Sequence, residues 1–389
     1  MTKTRLLAAA ILALSVAAPA AAADKIKIGF ITTMTGSGGV VGQHHKEAAD
    51  LALEELGGKI GGLPAEIIYA DDQLKPDVGR QLADSMIKRD KVNFMTGLTY
   101  SNVMMAAYPP IVASKTVFIG LGGPSEISGS MCSPYFYSVA WQNDQPAEAM
   151  GKHLTDSGVT EAYLMAPNYT AGKDNLNGLK RMFKGKVVAE VYTNLNQSDY
   201  QAELSQVRAA NPKAVFAFYP GGLGVQFVKQ WAQAGLQGKI PLYTVFAQNL
   251  ITLPAIGDSA EGNFESGIYS PNLQNPTNAA FVAAYTKKYG YPPSEYAAIS
   301  YDAIRLMDAV TKMVGGKVEN TQAVLNAIPK ADVTSVRGKK LAFNTNHMPI
   351  QDFYLFKIAK GTDGKMTPAV EKAVMIDAKD SYVGECKMK

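Results

Sequence analysis

From Ile26 onward, short runs of β-branched and apolar residues alternate with longer stretches whose apolar positions recur at helical spacing. Ile26–Thr32 reads as a strand, a Gly-rich turn follows, and Val40 to Leu56 reads as an amphipathic helix. The beat repeats with strands predicted at Ala65–Ala70, Val92–Thr96, Thr116–Leu121, Ala162–Ala166, Val187–Tyr192, Ala214–Tyr219 and Ile240–Val245. Helices are predicted between them at Asp77–Lys88, Asn102–Ala113, Ala171–Phe183, Tyr200–Ala210 and Leu223–Ala234. Strands alternating with helices of this length predict an α/β protein with parallel sheets flanked by helices.

So many strand signals overfill a single sheet, and the rhythm is interrupted. Met131 to Asp144 carries Pro134, several aromatics and a polar Gln142-Asn143-Asp144 run before a helix at Gln145–Ser157. A crossover between two lobes is predicted there. Ser270 to Pro276 makes a second crossover ahead of helices at Asn278–Tyr289 and Tyr296–Val314. After a helix at Thr321–Ala327, strands are expected around Val333–Phe343 and Phe353–Ile358, with a third crossing near Asn344–Ile350. The expected division is therefore discontinuous: residues 24–143 plus 272–349 in one lobe, and 144–271 plus 350–389 in the other.

The first residues belong to neither lobe. Lys3 and Arg5 precede an apolar run from Leu6 to Ala18, then Pro19 and Ala21-Ala22-Ala23. This is the pattern of a cleaved secretory signal peptide spanning residues 1–23, too short in its apolar run to cross a bilayer as a helix. Export to the periplasm without membrane insertion is expected. The 38 basic and 34 acidic residues leave a formal charge of +4, or +2 once Lys3 and Arg5 are gone. A balanced surface with no basic block gives no electrostatic reason to bind nucleic acid. In an oxidising compartment Cys132 and Cys386 most simply form one disulfide; the alternative is two unpaired thiols.

The chemistry of the motifs is largely exclusionary. A dinucleotide fingerprint starting at Gly36 would need glycine where Val41 stands, and the chain has no phosphate-binding G-x-x-x-x-G-K-[ST]. Gly123-Pro124-Ser125-Glu126-Ile127 lacks the closing glycine of a nucleophile elbow. His44, His45, His153 and His347 show no metal-binding spacing, so neither metal nor cofactor is expected. His44 or His45, beside the first loop, is either a ligand contact or part of a solvated helix face. No nucleophile, base and orienting group converge, and a secreted enzyme is not supported.

What remains are Gly- and hydroxyl-rich loops at the carboxyl ends of strands, where open α/β sheets bind ligands. Gly97 to Asn102 ends one strand and begins a helix, which places Ser101 and Asn102 at a helix N-terminus with free backbone amides. Gly120-Leu121-Gly122-Gly123-Pro124-Ser125 follows the next strand. Two such loops side by side can hold a carboxylate without a cationic side chain.

Ile26 to Phe30 with Met34-Thr35-Gly36, Gly97 with Ser101, Gly122-Gly123-Pro124-Ser125, Ala234-Gly235-Leu236 and Ala260-Glu261-Gly262 together resemble the leucine/isoleucine/valine-binding family of type I periplasmic solute-binding proteins. The resemblance spans the chain after its leader. It implies two Rossmann-like lobes, a three-segment hinge, and a monomer that delivers its ligand to an ABC permease. It also implies that the loops at Ser101 and Gly123–Ser125 hold the ligand carboxylate, that Val41 and Gly42 border the site, and that Tyr169 and residues near Tyr219 close it; Asn102 and Gly122, beside Ser101 and Gly123, are expected to bind with them. One departure from the family pattern is chemical. Amino-acid binders of this kind pair the ligand ammonium with an acid at a place matching Val245-Phe246, yet no Asp or Glu occurs from Lys239 to Gly257. A buried ammonium without a counter-charge costs several kcal/mol. With Tyr100, Tyr169, Tyr219, Phe246 and Tyr296 available as walls, an aromatic carboxylate of the benzoate or phenylpropanoid type is expected. The alternative is a branched-chain amino acid, with Glu126 or Asp174 replacing the missing acid.

Overall fold

A computed structural model describes residues 25–388. The signal-peptide reading falls outside these residues. The first sheet holds β1 (Ile26–Thr32), β2 (Lys59–Ile60), β3 (Leu63–Asp71), β4 (Phe94–Gly97), β5 (Val117–Gly120) and β6 (Phe136–Ser138), in the order β2-β3-β1-β4-β5-β6. The second holds β7 (Glu161–Pro167), β8 (Lys186–Thr193), β9 (Ala214–Phe218), β10 (Leu242–Val245), β11 (Phe264–Gly267), β12 (Gln351–Lys360) and β13 (Met366–Ala378), in the order β13-β12-β11-β10-β9-β7-β8. The parallel cores β3-β1-β4-β5-β6 and β8-β7-β9-β10-β11 share one strand order, so the chain builds the same α/β unit twice.

Central strands are legible because they are covered on both faces and read as continuous apolar runs: six of the seven residues of β1 are buried. Helix Gly39–Glu55 packs along Glu295–Met313 beside the first sheet, and helix Gln145–Asp156 packs against Thr170–Met182 beside the second. Two α/β lobes result, and the chain passes between their sheets three times. The passages follow β6, follow β11, and precede β12.

The structure departs from the expected elements at the C-terminal end. Val333–Phe343 is not a strand. Only isolated bridges occur there, Thr334 with Lys340 and Phe343 with Pro349, because the backbone folds into tight turns around Arg337. The Arg337 guanidinium is nearly buried and donates to Asp302 Oδ2 at 3.2 Å, to the Val139 carbonyl at 2.9 Å and to Gln351 Oε1. One side chain thus pins two of the three passages. Strand β13, by contrast, was hidden: it is the edge of its sheet, half its residues face solvent, and it carries Pro368, a residue tolerated only where the ladder is free. Cys132, between β5 and β6, is disulfide-bonded to Cys386, 254 residues away.

Candidate ligand-binding site

In each unit the strand order reverses beside the first strand, at β1/β4 and at β7/β9, and the crevice at such a reversal is where α/β sheets accept ligands. The two crevices face each other. Between them lies a cavity of about 350 Å3, counting its open mouth. The first lobe contributes Val41, Thr99, Tyr100, Ser101 and Tyr296; the second contributes Tyr169, Ala171, Asn175, Phe218, Pro220 and Phe246; Trp141 and Asn143 come from the passage after β6. No acidic or basic side chain is among them.

The apolar wall is an aromatic cluster. Phe246 stands with its ring centroid 4.5 Å from Trp141, 6.0 Å from Phe218 and 6.1 Å from Tyr296. Phe218 in turn lies 6.2 Å from Tyr169. Phe246 holds φ at 61°, a left-handed conformation that is costly for a bulky side chain and that turns the ring out of β10 toward the cavity. Leu98, just after β4, is likewise at φ 56° and swings Thr99 to Ser101 into the cleft.

The polar groups are chiefly donors. Helix Ser101–Ala113 starts after Tyr100, which provides no side-chain cap, so its first amides and the positive end of its dipole stay available. Ser101 Oγ accepts from Asn143 Nδ2 at 2.9 Å, which leaves its own proton to donate. Burial pushes the Tyr100, Tyr169 and Tyr296 hydroxyls well above their ordinary range, and Tyr296 is raised further by the neighbouring Glu295, Tyr100 and Tyr169. Three phenols therefore stay protonated around one space. Thr99 is held from behind: its Oγ1 lies 2.7 Å from His45 Nε2, and His45 Nδ1 lies 2.6 Å from Ser300 Oγ. Burial lowers the His45 pKa to about 3, so the ring is neutral. His44 is also buried, against Tyr285 and Tyr291, and the face carrying both histidines is packed rather than solvated.

Several residues named from the sequence lie elsewhere. Ser125 does not face the cavity; its amide and hydroxyl are taken by Asp174 of the opposite lobe, at 3.2 and 2.7 Å, and Asn143 Nδ2 adds a third bond to the same carboxylate at 2.9 Å. These contacts latch the lobes together. Burial first, then the Asp144 charge, pushes Asp174 up to about 7. Since both its oxygens are engaged across the latch, Asp174 is not the counter-charge for an ammonium. Gly123 accepts from the Asn143 amide at 2.8 Å and so fixes the passage, while Gly122 lies against the Thr99 backbone. At Gly42 a Cβ would sit 2.0 Å from the Thr33 carbonyl, so glycine there permits close packing of helix on strand. Asn102 points to the Leu74 carbonyl, and Tyr219 packs inside the second lobe against Phe227 and Thr193. Trp141, Asn143, Phe218 and Asn175 had no motif to mark them. The polar run Gln142-Asn143-Asp144, fully buried here, was the one available signal.

A second, separate cavity of about 270 Å3 lies behind Tyr296, lined by Gln248, Asn249, Glu265, Ser294 and Glu295 among others. Glu265 Oε2 accepts from Thr244 Oγ1 and the Gln248 amide, Glu295 Oε1 accepts from Asn249 Nδ2, and Glu265 Oε1 is buried without a partner. Burial pushes Glu265 up to about 7, and burial with the neighbouring Glu265 charge pushes Glu295 up to about 8.

Two similar α/β lobes facing each other across a cavity lined by no acidic or basic side chain define a protein that traps a small ligand between its lobes. A periplasmic binding protein family model matches residues 25–364, and the chain belongs to that family. It is 27% identical over 361 residues to a Leu/Ile/Val-binding protein homolog of Brucella melitensis, covering 90% of this chain and 92% of that one. Among solved structures, a solute-binding protein of an ABC transporter from R. palustris in complex with benzoate superimposes with a TM-score of 0.88 at 27% identity, covering 94% of this chain and 100% of the other. Another, from Rhodopseudomonas palustris BisB5 with 3,4-dihydroxy benzoic acid, gives a TM-score of 0.86 at 29% identity, covering 92% and 99%.

Proposed function

We propose that this protein captures a small aromatic carboxylate between its lobes in the periplasm and presents it to an ABC permease, as a monomer and without catalysis. The observation that carries this reading is the lining of the cavity: six aromatic rings and a set of donors, with no acidic residue to neutralise an ammonium. An α-amino acid would leave its ammonium buried without a counter-charge, whereas an aromatic acid places a carboxylate on the helix N-terminus at Ser101 and the phenol hydroxyls, and its ring against Phe246 and Trp141. The two similar structures that hold benzoate and a dihydroxybenzoate support the same chemistry. Lobe boundaries at 143/144, 271/272 and 349/350 fit the three passages. Closure follows from differential affinity, since only the closed arrangement brings ligand contacts from both lobes together and forms the Ser125–Asp174 latch.

A thermal-shift panel tests the reading. A ligand at about 100 times its dissociation constant adds about 2.7 kcal/mol to apparent stability. Benzoate and its hydroxylated relatives should raise the melting temperature and leucine, isoleucine and valine should not. Stabilisation by a branched-chain amino acid alone would overturn the aromatic assignment.

A further inference from the structure

The donors just described account for the anionic end of an aromatic acid, but one wall of the cavity presents the opposite polarity. Asn175 lies on the second-lobe helix Thr170–Met182, one residue past the latch carboxylate of Asp174, and is 1% exposed. Its Nδ2 donates to the Ala171 carbonyl at 2.9 Å. That carbonyl fixes the amide orientation, because a flipped side chain would set two oxygens against each other. The other end of the amide, Oδ1, is buried with no hydrogen-bond partner, and both Asn175 and Ala171 line the ligand cavity.

A buried acceptor left empty is costly, and it repels a carboxylate while rewarding an O–H. We infer that Asn175 is a specificity-determining residue whose Oδ1 accepts a hydrogen bond from a hydroxyl on the ligand's ring, so that the preferred ligands are hydroxylated aromatic acids rather than benzoate itself. The inference rests on the aromatic-carboxylate reading above. It also sets the ligand's polarity: the carboxylate faces the Ser101 helix of the first lobe and the hydroxyl faces the second. A ring hydroxyl then bridges the lobes, so its contribution is realised on closure and appears mainly as slower release.

The experiment is a titration-calorimetry series with benzoate, 3-hydroxybenzoate, 4-hydroxybenzoate and 4-methoxybenzoate on the wild type, Asn175→Leu and Asn175→Ala. At least one hydroxybenzoate should bind the wild type roughly 5- to 100-fold more tightly than benzoate. The methoxy compound, which offers an oxygen without a proton, should show no such gain. In both variants the ratio of hydroxybenzoate to benzoate affinity should fall to within about two-fold, whatever the change in absolute affinity. Equal wild-type affinity for benzoate and both hydroxybenzoates would overturn the inference and leave the aromatic-acid reading standing. A preference that survives in the variants would remove Asn175 from the role. Binding of none of the four would overturn both readings. Should neither variant fold, the wild-type comparison of hydroxy against methoxy compounds still decides whether a donor is selected.

Discussion

Two cavities lined by residues of both lobes differ in one respect that governs their behaviour. The ligand cavity is lined by aromatic rings, hydroxyls and amides and by no acid or base, whereas the cavity behind Tyr296 is lined by Glu265 and Glu295. A site without ionisable acids or bases selects by shape and by donor and acceptor placement; a site with two buried carboxyls responds to pH. Recognition and proton sensitivity are thus separated in space, with Glu295 and Tyr296 as adjacent residues on the boundary between them.

Three experiments press on this separation. The largest effect should come from Phe246→Ala, which removes the ring at the centre of the cluster. Binding of an aromatic acid should weaken by about 2–4 kcal/mol, or roughly 30- to 1,000-fold by calorimetry; a change under three-fold would mean that the ring only fills the lobe interior. Next, Ser101→Ala takes away one donor to a charged ligand, expected to cost about 1.5–3 kcal/mol, roughly 10- to 100-fold, and to do so equally for every carboxylate. A loss confined to one ligand would place Ser101 away from the carboxylate.

The smallest effect concerns the second cavity. Glu265 and Glu295 stand at about 7 and 8 against an ordinary 4.5, so folding takes up protons at both. Their stabilising contribution is complete below about pH 4.5 and is lost as pH rises through 7 to 8. His44 and His45, held neutral by burial, act in the opposite sense below about 6.5, so the readout is the difference between wild type and variant. Glu295→Gln should be more stable than wild type by about 1–2 kcal/mol at pH 8 in thermal melts, with the difference vanishing near pH 4.5. Ligand affinity should stay unchanged. A pH-independent difference would mean that the two carboxyls do not titrate as a buried pair.

The repeated α/β rhythm was legible because covered parallel strands carry uninterrupted apolar runs and their helices a 3.6-residue period. Strand β13 was not, since an edge strand with exposed positions has neither. At the site, Tyr100 and Ser101 stood out because Gly97 and a helix start flank them, and Phe246 because it follows a strand at the place where the resembled amino-acid binders carry an acid. Ser125 stood out for the same reasons, yet its donors face Asp174, a pairing between lobes that no local pattern encodes. Trp141 and Asn143 lie in a passage whose sequence reads only as an interruption, and Asn175 sits on a helix where asparagine is unremarkable until its neighbours are known.

The bond between Cys132 and Cys386 has a topological consequence. It closes the intervening polypeptide into a covalent ring that contains the whole parallel core of the second sheet and all three passages between the sheets. A protease that cuts once within the ring, at any loop from Ser133 to Glu385, releases no fragment. The nicked chain keeps its mass under denaturing, non-reducing conditions and separates only when a reductant is added.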